Sequence, residues 1–129
     1  MKLFIAVLLA VFSTNVLAEW TRVSGSDNQT TYADLSTLRK SGDRVKMWRL
    51  FDYKVVRIIT ADGTRHLSTT GQDEYDCKEE TSKALTFTEY SKNMTAGEAV
   101  YNSGNLHEEF EPITPGSASA SLFKVACGK

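Results

Sequence analysis

RVKMWRLFDYKVVRIIT, Arg44 to Thr60, runs into ADGT, Ala61 to Thr64, and then into RHLSTTGQDEYDCK, Arg65 to Lys78. The first stretch alternates. Val45, Met47, Phe51 and Tyr53 fall on one parity, and Lys46, Trp48, Leu50 and Asp52 on the other. A period of two, carried by β-branched and aromatic residues, predicts one long strand. Arg49 interrupts the first set, so neither face is purely apolar. Asp62-Gly63 suits a primed hairpin turn. Residues 65–78 are therefore expected to return as the antiparallel partner, with an irregularity near Gly71. A hairpin this long makes an antiparallel sheet the scaffold.

Upstream, Trp20 to Ser24 reads as a short strand, 25–28 as a turn, and Thr30 to Tyr32 as a second strand. Asp34 is placed to cap a brief helix over Leu35 to Lys40, with Leu35 and Leu38 on one face and Ser41-Gly42 at its end. Downstream, Lys83 to Tyr90, Ala99 to Tyr101 and Leu106 to Ile113 are further extended segments separated by turns. Ser117 is a suitable N-cap for a helix from Ala118 to Cys127, whose Leu122, Val125 and Ala126 form one stripe; Gly128 stops it. The fold class expected is α+β: one domain over residues 19–129, a meandering antiparallel sheet packed by a C-terminal helix and a short N-terminal helix.

The first 18 residues stand outside that fold. Lys2 precedes an apolar run from Leu3 to Phe12, and Val16 and Ala18 occupy the −3 and −1 positions of a cleavage site. This predicts a secretory signal peptide over residues 1–18, cut after Ala18. The run is about half the ~20 residues a spanning helix needs, so no transmembrane segment is expected. The cleavage region holds no Cys, so no lipid anchor is expected either, and the product should be periplasmic or secreted. In an oxidising compartment the two cysteines, Cys77 and Cys127, read most simply as a disulfide. The loop it closes is about 50 residues long and worth about 4 kcal/mol by loop-closure entropy.

Composition narrows the function classes. The chain has 129 residues, 41% hydrophobic and 24% charged, which suits one folded domain and excludes a multidomain enzyme. Its net charge of −1 lacks the basic excess of a nucleic-acid binder, and no nucleic-acid partner is expected. No nucleophile elbow or phosphate-cradling glycine loop occurs, so no catalytic residue and no cofactor is assigned. His66 and His107 lack a second ligand at metal spacing. The clusters Asp73-Glu74-Asp76 and His107-Glu108-Glu109 lack the spaced oxygens and Gly of a calcium loop, so no metal is assigned.

Charge is nonetheless segregated. Residues 39–65 carry a net +5, while 72–80 and 98–111 carry −4 each. The basic ribbon Arg39, Lys40, Arg44, Lys46, Arg49, Lys54 and Arg57 has two readings. It either binds an anionic partner or pairs with the acidic strand beside it.

Several segments, in order, resemble the surface-adhesin protein E family of bacterial exported proteins. They are Trp20 to Val23, Tyr32-Ala33-Asp34 leading to Leu38 through Gly42, and Val45 through Trp48 with Asp52-Tyr53. Tyr75-Asp76-Cys77, Glu98 through Tyr101, Ile113 through Ser117 and Val125-Ala126-Cys127 complete the set. The resemblance covers nearly the whole chain after residue 18. It implies an antiparallel sheet packed by a helix, a Cys77–Cys127 bridge, and a non-enzymatic module that binds an extracellular or envelope protein and can form a homodimer. The alternative from another class is a small periplasmic hydrolase, or an inhibitor of one.

Overall fold

In chain order the strands are β1 (Thr21–Gly25), β2 (Gln29–Ser41), β3 (Arg44–Ile58), β4 (Arg65–Asp76), β5 (Thr81–Tyr90), β6 (Ala99–Ser103) and β7 (Glu111–Pro112), followed by the helix α1 (Ala118–Cys127). The computed structural model describes residues 18–58, 63–106 and 108–129. The expected leader, the tip of the β3–β4 hairpin and His107 lie outside the described residues. Sheet order follows chain order from β1 to β6, every neighbour antiparallel, and β7 pairs with the start of β5. The decisive hairpin is present: β3 and β4 pair without a break from Arg44–Asp76 to Asp52–Ser68.

Burial along β3 follows the alternation. Val45, Met47, Arg49 and Tyr53 are buried on one face. α1 lies across one end of that face, with Leu122 and Phe123 against Met47, Tyr75 and Ala33. The Tyr75 and Phe123 rings meet edge to face at 6.4 Å between centroids. Both ends of α1 are capped as the sequence predicts. Ser117 Oγ accepts from the Ala120 N–H at 3.2 Å, and Gly128, in the left-handed conformation, donates its N–H to Lys124 O. The Cys77–Cys127 disulfide ties the end of β4 to the end of α1.

The opposite face buries Leu50 and Ser68. The 92–95 turn folds onto it: Ser68 Oγ donates to Lys92 O and accepts from the Thr95 N–H, and Asp52 accepts from the Met94 N–H.

Three local expectations are corrected. Leu35 to Lys40 is not helical; it belongs to β2. Asp34 does act like a cap, accepting from the Ser36 N–H and hydroxyl, but what it organises is a bulge. Residues 35–38 all lie opposite the single residue Met47. Thr37 Oγ1 then accepts the Trp48 N–H that this bulge would otherwise orphan. The strand wins because its backbone groups are satisfied by β3 over a long ladder, whereas a six-residue helix pays nucleation for little return. Among its described residues, the segment expected to be extended from Leu106 to Ile113 is regular only at Glu111–Pro112. The irregularity expected at Gly71 lies one step on: β4 and β5 slip register between Gln72 and Asp73.

Candidate binding cleft

Strand alternation carries Arg49 inward with Val45 and Met47, to a position α1 does not cover. Its side chain is 8% exposed. A guanidinium buried this far has to be built in, and three neighbours do so. Arg49 Nε donates to Asp73 Oδ2 at 3.1 Å. The guanidinium carbon lies 4.3 Å from the Phe51 ring centroid, in cation–π contact. Gly71, opposite Arg49 on β4, leaves the space: a Cβ there would sit 2.8 Å from Nη2 and 2.6 Å from Thr86 O. Arg49 Nη1 is buried and has no hydrogen-bond partner among the described residues. The Asp73 carboxylate also accepts from the Tyr75 hydroxyl at 3.4 Å. Burial, and after it the Asp73 charge, push the Tyr75 phenol well above its ordinary range.

A cleft of about 340 Å³ opens over this group. Arg49, Phe51 and Asp73 form its buried side, and Ser117 and Ser119 of the first turn of α1 line it as well. Glu108, Glu109 and Glu111 are exposed at its rim. Lys83 also lines it, yet its Nζ is drawn to Glu74 at 3.8 Å.

Further along the same face lies a second polar cluster. Tyr53 and His66 meet edge to face at 5.6 Å, and Tyr53 OH shares a hydrogen bond with Thr69. His66 Nδ1 stands 3.7 Å from Glu89 Oε2, beyond hydrogen-bonding distance, and neither atom has a hydrogen-bond partner among the described residues. No group of three or more metal-ligating side chains forms among the described residues.

The basic ribbon is divided by the fold. Arg44 and Lys46 face the acidic strand, each 3.9 Å from its cross-strand carboxylate, Asp76 and Glu74 respectively. Arg49 turns to the other face and pairs with Asp73. Arg57 lies over the Tyr53 ring. Lys54 Nζ donates to Ser26 O, and Arg39 Nη1 donates to Ser36 O and Leu38 O. Arg39, Lys40 and Lys54 have no acidic partner among the described residues. The first two sit at the β2–β3 turn and the third at the far end of the ladder, so the structure does not gather them.

Sequence reasoning named Arg49 as one of seven basic residues and as the break in an apolar parity, without giving it a buried role. It missed Phe51, Asp73, Gly71 and Ser119 as its setting. The signal was present: a charge breaking an apolar parity of four marks a buried ion rather than a solvated one.

Comparisons with known proteins complete the description. The family described as Surface-adhesin protein E matches residues 20–128. No curated protein matches the chain. Three solved structures of Haemophilus influenzae protein E share its fold at 12% identity. One aligns with a TM-score of 0.60 over 89% of this chain and 88% of that one. Crystal form II aligns at 0.61 over 89% and 91%. The protein from a non-typeable strain aligns at 0.57 over 89% and 79%.

Proposed function

This chain belongs to the surface-adhesin protein E family, and from that premise we propose that it is an exported binding protein, without catalytic activity of its own, directed at an extracellular or envelope protein. The observation that carries the reading is the extent of the family match, which takes in every strand and the helix. The structure is compatible in a specific way. Four of the seven ribbon side chains, Arg44, Lys46, Arg49 and Arg57, are spent on ion pairs and ring contacts that hold the sheet, which leaves recognition to the rest of the surface and the cleft beside α1. Export follows from the leader over residues 1–18, cut after Ala18, and suits the disulfide. Among the described residues no helix is long and apolar enough to cross a membrane. Arg39 and Lys40, exposed beside the β2–β3 turn, are the part of the basic ribbon best placed to meet an acidic partner surface.

Immobilised chain, incubated with envelope and extracellular-matrix extracts, should retain a defined protein saturably over a bead control. Failure to retain any protein, or turnover of a screened ester, glycan or peptide substrate, would overturn the reading.

A further inference from the structure

We propose that the cleft beside α1 captures the C-terminal carboxylate of a peptide that carries a basic residue, with Arg49 as the anchor. The proposal rests on the reading of the chain as a protein-binding module and narrows it to one chemistry.

Four observations converge on it. Arg49 is only 7% exposed, and its Nη1 donor has no partner. A buried polar group left unsatisfied is costly, and an acceptor supplied from outside would remove the cost. The guanidinium is also held in advance by Asp73, the Phe51 ring and the space at Gly71. A ligand that reaches Nη1 therefore meets a donor already held in place and loses little to ordering. The first turn of α1 lines the same cleft, and the Ser117 hydroxyl satisfies the Ala120 N–H. The other first-turn amides have no acceptor within the helix, and the positive end of its dipole lies there. An anion placed between Arg49 and that turn gains from both, as in the capture of terminal carboxylates by backbone amides.

The rim decides what else the ligand carries. Glu108, Glu109 and Glu111 are exposed around the opening, and the one nearby lysine, Lys83, is engaged by Glu74. That field repels a polyanion and attracts a cation beside the carboxylate. About 340 Å³ accommodates one or two residues rather than a folded surface. A terminal carboxylate can enter end-on with the chain leading out past the glutamates.

The test uses the purified chain and three peptides: acetyl-Gly-Gly-Lys with a free C-terminus, the same peptide amidated, and amidated acetyl-Gly-Glu-Lys. Binding is followed by NMR titration of the first-turn amides of α1 and the Arg49 Nε–H. The free acid should bind saturably. The amide should bind about tenfold more weakly or worse, as expected for loss of a charge-assisted hydrogen bond. Ser119→Asp places a carboxylate inside the cleft at a helix position that favours acid, so the fold is kept. It should weaken the free acid by about tenfold, while Ser119→Asn should not. Equal binding of acid and amide, or indifference to Ser119→Asp, overturns the site. Equal binding of the glutamate peptide overturns its specificity for a terminus. If the peptides fail while an extract protein is still retained, the cleft is wrong and the binding reading stands; if both fail, the reading itself falls.

Discussion

The inner faces of β3 and β4 are closed in two different ways along their length. Toward Val45 and Tyr75 the cover is a helix. Leu122 and Phe123 descend on Met47, Tyr75 and Ala33, and the disulfide holds the helix end to the strand end. Two residues further along, the first turn of α1 borders an open cleft instead of closing the face. There Arg49, Asp73 and Phe51 close the surface by pairing and stacking among themselves, and beyond them Tyr53, His66, Thr69 and Glu89 do the same. The first region has traded water for hydrocarbon. The second has traded it for charged partners, and it ends with donors and acceptors left over. Hydrocarbon burial is non-directional and finishes its work on folding. Polar burial is directional, and an unfilled valence is a place where something outside the chain can contribute.

The largest expected effect comes from breaking the helix-covered half. Leu122→Ala should cost about 2–5 kcal/mol, because the side chain is fully buried and the sheet beneath cannot collapse into the gap. Urea unfolding followed by circular dichroism measures it. A loss under about 1 kcal/mol would mean that the helix is an accessory to the sheet.

Next in size is removal of the bridge. Cys77→Ser or Cys127→Ser should lower stability by about 2–4 kcal/mol, leave the sheet spectrum in place, and make the chain after Pro115 sensitive to protease. An unchanged melting temperature would show that docking of α1 does not depend on the bond. The polar half is tested at Gly71. Gly71→Ala pushes a methyl against the Arg49 guanidinium and the Thr86 carbonyl, and about 1–3 kcal/mol should be lost. The NMR signal of Arg49 Nε–H should shift with it; if it does not, the space at Gly71 is not what seats the guanidinium.

The smallest effect sharpens the boundary between the halves, where Tyr75 packs on Phe123 and reaches toward Asp73. Its phenol is harder to ionise folded than unfolded. As pH rises past the ordinary value of about 10, the unfolded chain releases this proton first, so stability falls until the folded phenol ionises too. Tyr75→Phe should be close to wild type at neutral pH and should lose less stability between about pH 9 and pH 11. Parallel alkaline slopes in the two proteins would show that the phenol is not the group being stressed.

Local rules determined a good deal. The period of two over Arg44 to Tyr53, the Ser117 and Gly128 caps and the pairing of the two cysteines each depend on a few neighbouring residues or on the expected compartment. They were legible for that reason. Leu35 to Lys40 was misread because its i, i+3 leucines and capping Asp34 satisfy a helix and a bulge equally. Only β3, accepting and donating across the ladder and reaching Thr37 through the Trp48 N–H, selects between them. The fate of Arg49 was likewise decided in three dimensions. Its parity placed it on the inner face, but whether that face would be covered depended on where a ten-residue helix ends, some seventy positions later in the chain. The sequence set the face on which each side chain lies; tertiary packing set how much of that face the helix could reach, because burial depends on distances between elements that no local pattern encodes.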